Sequence, residues 1–165
     1  MSRKFVPFNG FDSGPGEGGA YALLIRLNRA LTIDIKVFSQ RGLNRGHYLY
    51  LGSAHGPGGV AARVRRHLAP TKRLHWHVDW LTTAGRVVAV AVFPGGNECR
   101  LTARALALPG AEVPIRGFGS SDCRRCPAHL VALPGSADGV LEALLAAAPD
   151  GRDGAIYSTA GRVPT

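Results

Sequence analysis

A chain of 165 residues, 45% of them hydrophobic, is long enough for one domain with its own core and needs no disulfide staples. It has no apolar run of about eighteen residues and no basic-then-apolar leader pattern, so a membrane-spanning helix is excluded and a cytoplasmic protein is expected. The net charge of +9 is unevenly placed: residues 1–100 hold 14 Lys and Arg against 5 Asp and Glu, and residues 101–165 hold 6 of each. A basic half of this kind suits a polyanionic partner, nucleic acid above all.

In chain order, residues 1–18 are rich in Gly, Pro and Ser without a period and read as a flexible lead-in. A single domain is expected over residues 19–148, followed by a frayed tail over 149–165. Ala20–Leu27 reads as a buried strand, Asn28–Ala30 as a turn and Leu31–Phe38 as the return strand. After a polar loop, Tyr48–Leu51 is a further strand. A glycine-rich turn through His55-Gly56-Pro57-Gly58-Gly59 then opens a basic helix, Val60–Leu68, which Ala69-Pro70 ends. Its N-terminal N–H groups, with arginines behind them, make a plausible phosphate cradle.

His75–Leu81 alternates like a strand but also places Trp76 with Trp80, and His75 with Asp79, four residues apart. A short helix stopped by Gly85 is the preferred reading. Arg86–Phe93 is almost wholly apolar and should be a central strand. Asn97 is placed to cap a helix over Glu98–Leu108. Residues 109–135 are turn-rich, with a last strand at Ala128–Leu133. Ser136 or Asp138 should cap a final helix running to Ala148.

Several residues could carry chemistry. Tyr48 and Tyr50 share one strand face, and a phenol beside arginines and a metal loses its proton more easily. Arg63, Arg66 and His67 lie near one face of the basic helix, where a guanidinium could grip a phosphate in two-pronged fashion. Arg65, Arg66, Lys72 and Arg73, with His75 and His77, form the segment expected to meet nucleic acid. Glu98 is the sole acid between Asp79 and Glu112. It either complements its helix dipole or holds Mg²⁺ or Mn²⁺.

Cys99, Cys123, Cys126 and His129 offer a tetrahedral zinc set, although ordinary buried thiols are the simpler reading and a redox pair is a third. The His-Trp-His-x-Asp run is expected to be a polar network near the cleft rather than a second metal site. Its tryptophans should belong to the core.

In this order, Gly19-Ala20-Tyr21, Tyr50-Leu51-Gly52, Arg63, His67 and Glu98 resemble the signature of the GIY-YIG nuclease superfamily. The runs Tyr50-Leu51-Gly52-Ser53-Ala54, His75-Trp76-His77-Val78-Asp79-Trp80 and Gly117-Phe118-Gly119-Ser120-Ser121-Asp122-Cys123 are similar to a prokaryotic branch of it. Some members of that branch are joined to DNA glycosylases of the endonuclease III type. The likeness covers roughly Gly19 to Leu133.

It implies an α+β fold, a small and mainly antiparallel central sheet flanked by helices. It also implies a metal-dependent endonuclease acting on DNA, with RNA as the other candidate polymer and DNA-repair proteins as partners. Tyr21 and Tyr50 would be the paired tyrosines, with Tyr21 the favoured general base. Arg63 would stabilise the scissile phosphate, Glu98 would hold the divalent metal, and His67 would contact phosphate or move a proton. Ala20 and Leu51 replace the isoleucines of the motif, the turn before Arg63 is longer, and the Leu31–Phe38 strand is additional. A non-catalytic nucleic-acid-binding module on the same fold is the alternative.

Overall fold

A computed structural model describes residues 6–7, 17–147 and 154–159. The chain runs through β1 (Val6–Pro7), β2 (Gly19–Leu27), β3 (Leu31–Thr32), a 3-10 turn (Lys36–Phe38), β4 (Gly42–Leu43) and β5 (Gly46–Ala54). It continues through α1 (Gly59–Leu68), α2 (Val78–Ala84), β6 (Arg86–Pro94), α3 (Glu98–Leu106), β7 (Leu130–Leu133), α4 (Val140–Ala146) and β8 (Ala155–Ser158). The main sheet has the order β1-β8-β6-β2-β5-β7. Every pairing in it is antiparallel except the two-residue contact of β1 with β8. This is the α+β fold expected from the sequence.

The sheet is buried on both faces because β2, β5 and β6 carry apolar residues at most positions on either face. Tyr21, Leu23, Ile25 and Leu27 point to one face and pack with Tyr48, Tyr50, Val90 and Val92 against Val64 of α1 and Leu81 of α2. Ala20, Ala22, Leu24, Ala89, Ala91 and Phe93 point to the other, under Leu101 and Ala105 of α3 and Leu141 and Leu144 of α4. The second face is alanine-rich and accommodates two helices at close range, whereas the first carries the tyrosines. A bulge opposite Leu24 and Ile25, where Ala89 and Val87 are successive partners, leaves Val88 unpaired. The extra residue puts both Val87 and Val90 on the tyrosine face, which strict alternation would forbid.

The expected return strand at Leu31–Phe38 does not form. Leu31–Thr32 pairs with Gly42–Leu43 in a separate two-stranded sheet, and Lys36–Phe38 is a 3-10 turn. The physical reason is that β5 and β6 already occupy both edges of β2, so no edge is left for its sequence neighbour. The chain reverses instead at Ser39 and Gln40, both at positive φ.

The short helix begins at Val78 rather than His75, because the Asp79 carboxylate reaches back to the N–H groups of His75 and Trp76 and holds them before the helix. Asn97 caps α3 as expected, its side chain accepting from the N–H groups of Cys99 and Arg100 at 2.9 and 3.1 Å. Helix α4 is different: Gly139, at φ 72°, stands at its N-cap with no side-chain bond, in place of Ser136 or Asp138.

The ends also depart from expectation where they are described. Residues 6–7, in the expected lead-in, pair with β8, and Ala155–Ser158, in the expected frayed tail, add a strand beside β6. The remainder of both segments lies outside the described residues. Ile156 anchors β8 in the alanine-rich core at 8% exposure. Ile156→Ala should therefore cost roughly 2–3 kcal/mol, the low end of large-to-small core changes. Urea denaturation checks this, and an unchanged midpoint would return these residues to a frayed tail.

Candidate active site

The register of β2 against β5 builds the centre of the site. Tyr21 pairs with Gly52, and Tyr50 sits two residues back on the same face. The two phenol rings lie 6.4 Å apart between centroids. Gly52 has to be a glycine: a Cβ there would collide with the Tyr21 ring. Gly119 plays the matching part beside Tyr50. Its φ of +73° suits glycine, and a Cβ would lie 2.7 Å from Tyr50 Cε2.

Behind the tyrosines, α1 presents His67, buried at 1% exposure. Its Nε2 lies 2.8 Å from the Tyr21 hydroxyl. Its Nδ1 faces Asp79 Oδ1 at 3.7 Å, too long for a direct hydrogen bond, and has no hydrogen-bond partner. The adjacent carboxylate favours the Nδ1–H tautomer, which leaves Nε2 to accept from the phenol O–H. Burial lowers the His67 pKa below 6.5, against the upward pull of Asp79. The imidazole is thus neutral at pH 7.

Asp79 is fully buried and collects four hydrogen bonds. Arg66 donates to both carboxylate oxygens at 2.9 Å, and the His75 and Trp76 N–H groups donate to Oδ2 at 2.8 and 2.9 Å. Burial alone would raise its pKa, but the nearby His67 ring and the hydrogen bonds from Arg66 and the two amides hold the carboxyl far below the usual range. Trp76 is the spacer of this assembly. The Arg63 and Arg66 guanidinium carbons lie 4.2 and 4.1 Å from its ring centroid, and its edge meets His67 at 5.8 Å. Trp76 and Trp80 both pack against the core, as expected, while Trp76 also lines the cleft.

That cleft encloses about 310 Å³. Tyr21, Tyr50, Arg63, His75, His77, Glu98, Cys123 and His129 all line it, so the structure brings together eight residues selected from the sequence. His67 stands directly behind Tyr21 rather than on the wall. Burial pushes the Tyr21 phenol well above 10, with Tyr50 adding to the rise and Arg63 opposing it. The Tyr50 phenol is pushed up to about 12, again mainly by burial. Neither tyrosine is ionised unaided at neutral pH. His77 accepts the Gly119 N–H at Nδ1, 2.8 Å away, which ties the Gly117–Asp122 run to the cleft.

The basic segment divides into two groups. Arg66 is committed to Asp79 and to the Arg73 carbonyl, and Lys72 donates to the His67 carbonyl, so these cations serve the interior. Arg65 and Arg73 are exposed. Sequence reasoning missed Asp122, a second carboxylate on the cleft wall beside Glu98, together with Ser53 and Ser121. The signal for them was membership of the Tyr50–Ala54 and Gly117–Cys123 runs that carry the resemblance, from which none was selected as a site residue.

Cys99, Cys123, Cys126 and His129 have ligand atoms all within 4.8 Å of one another, a group that could hold a metal ion. All three thiols are free and only half-buried, unlike ordinary core cysteines. The Cys126 N–H, Cys123's largest influence, lowers that thiol's pKa to about 6. Cys126 itself is pushed up to about 12, chiefly by burial.

The site is therefore a phenol–imidazole pair in a cleft that carries one arginine and two carboxylates, on an α+β scaffold. Residues 20–148 match the family model described as a domain of unknown function, DUF123, and the chain belongs to that family. Neither the curated proteins nor the solved structures gave a match. Among the described residues no helix is long and apolar enough to cross a membrane.

Asp79→Asn should destabilise the protein by roughly 2–3 kcal/mol at pH 7, less than a fully buried pair because Arg66 reaches solvent. The depressed folded pKa makes the carboxylate's contribution complete above its unfolded pKa of about 3.9 and lost as pH falls below it. Urea titrations at pH 7 and pH 3 should show the gap between wild type and variant narrowing in acid.

Proposed function

We propose that this chain is a metal-dependent endonuclease of the GIY-YIG type that hydrolyses DNA phosphodiesters. The observation that carries the reading is the 2.8 Å contact between Tyr21 and His67, in a cleft that also holds Tyr50, Arg63 and Glu98. A neutral imidazole with its lone pair on a phenol lets the phenol pass on a proton that it cannot release by itself. Water attacking phosphorus gives its proton to the Tyr21 oxygen as the phenol proton moves to His67 Nε2.

Asp79 offsets the charge that then forms on the imidazole. Arg63 leans over Trp76 into the same cleft, placed to meet the phosphate oxygens. The oxygen donors of Glu98, with Asp122 on the same wall, fit Mg²⁺ or Mn²⁺. Such an ion would polarise the phosphate and stabilise the leaving oxygen. Zinc in the Cys3His group belongs to the same reading as a structural ion. DNA-repair proteins are the partners this activity suits, and a cytoplasmic location agrees with it.

The assay is cleavage of supercoiled, branched and single-stranded DNA, with RNA in parallel, in Mg²⁺ or Mn²⁺. Wild type should cut, and Glu98→Ala, Arg63→Ala and Tyr21→Phe should each lose at least about 10²-fold, the scale of a lost acid–base or electrostatic group. Salt-sensitive binding without cleavage on every substrate would leave a binding module instead.

The pH profile gives a separate check. His67 accepts a proton only while neutral, and its pKa lies below 6.5. Cleavage should therefore hold its rate down through pH 6.5 and fall only in more acidic buffer. A rate that climbs steadily from pH 7 to 10 would instead mark an unaided phenol as the base.

A further inference from the structure

We infer that Cys99, Cys123, Cys126 and His129 bind a zinc ion whose Cys-Arg-Arg-Cys turn offers Arg124 and Arg125 to the nucleic-acid backbone beside the cleft. The inference rests on the nuclease reading for its ligand, but the metal site stands on its own geometry.

Four donors come from three places: the first turn of α3, the loop after Gly119, and the residue before β7. Tetrahedral zinc with Zn–S near 2.3 Å holds two sulfurs about 3.8 Å apart. Here Cys99 and Cys123 Sγ lie 3.5 Å apart. His129 is buried at 6% exposure, and its Nε2 has no hydrogen-bond partner. A buried, unpartnered ring nitrogen close to three sulfurs makes a set of metal donors. Its backbone is fixed on both sides, since Leu51 N–H donates to the His129 carbonyl at 2.9 Å and His129 N–H to the Phe118 carbonyl at 2.8 Å.

The Cys126 N–H points at Cys123 Sγ from 3.4 Å, a contact that favours thiolate over thiol. Three soft thiolates and an imidazole select zinc over the hard, oxygen-seeking ions suited to Glu98. Binding zinc releases the thiol protons and requires no oxidant. A Cys99–Cys123 disulfide would use two sulfurs and leave Cys126 and His129 without a role.

The position of this site gives it a function. Cys99 directly follows Glu98, while Cys123 and His129 line the cleft, so one ion would tie the carboxylate's helix to the loop that carries Asp122 and Cys123. Between Cys123 and Cys126, Arg124 and Arg125 are both exposed. Arg63 lies on the same cleft from α1. A polyanion in the cleft would then meet guanidinium groups from two separate elements.

The experiment uses the full chain purified without added metal. Elemental analysis should find about one zinc per chain, and Cys126→Ser should abolish it. Fluorescence anisotropy on labelled duplex DNA, in a salt series free of chelator and divalent metal, then compares wild type with the Arg124→Ala/Arg125→Ala double variant. Loss of two phosphate contacts should reduce the log-affinity against log-salt slope by about 1.8, with zinc content unchanged.

Zinc below about 0.2 per chain, or iron in its place, overturns the metal assignment, taking one ion per four-ligand site as the reference. A zinc-replete double variant with the wild-type slope overturns the arginine contacts, as does a wild type that binds no nucleic acid. Cleavage without zinc would sink this inference and leave the nuclease reading standing. A zinc-dependent slope change without cleavage would do the reverse.

Discussion

The buried carboxylate of Asp79 is the constraint on which the rest of the site depends. An ionised carboxylate without solvent is unfavourable unless donors replace its water, and here Arg66 supplies two and the backbone of residues 75 and 76 two more. Their pull outweighs burial and keeps the charge on. Those bonds settle several matters together. They lock α1 to the segment before α2, set Trp76 as a flat partner for Arg63 and Arg66, and place a negative charge beside His67 Nδ1. The tautomer of His67, and through it the environment of the Tyr21 hydroxyl, follows from that charge.

Much of the frame was legible because it is local. The long apolar segments at Ala20–Leu27 and Arg86–Phe93 have enough period and content to be strands in any context, and Asn97 caps its helix within three residues. What failed was non-local. Leu31–Phe38 alternates like a strand, but whether it pairs depends on which edges of β2 are free, and β5 and β6 take both. Ala155–Ser158 is a four-residue stretch within an expected frayed tail, and it becomes a strand only because β6 offers it an open edge.

The candidate site shows the same division. Tyr21, Tyr50, Arg63 and Glu98 could be nominated by residue type and order, and the fold does bring them to one cleft. The partnerships of Asp79 could not be read, because its four hydrogen bonds require α1 and the His75–Trp76 segment to be already packed. Composition also overstated the surface charge facing a partner. Arg66 is neutralised by Asp79, and Lys72 is spent on a backbone carbonyl. The cysteine set was named from the sequence but ranked below ordinary thiols for a related reason: Cys99 and Cys123 are 24 residues apart, and spacing alone does not bring them together.

The elevated pKa values of the two tyrosines bear on how a phenol could act as a base. A phenol held above 10 in the ground state contributes almost no phenolate at neutral pH, so direct tyrosinate catalysis would waste most of the enzyme. Coupling the phenol to a neutral imidazole removes that loss, because no free phenolate need form. In the proposed relay the acceptor is His67, whose own pKa is held down by the same burial that raises the phenol's. One apolar environment thus shifts both groups toward their uncharged forms, with the Asp79 carboxylate nearby to offset the imidazolium that transfer creates. On the proposed reading, burial of the tyrosines is a condition of the relay, and the carboxylate behind it is what makes the relay energetically reachable.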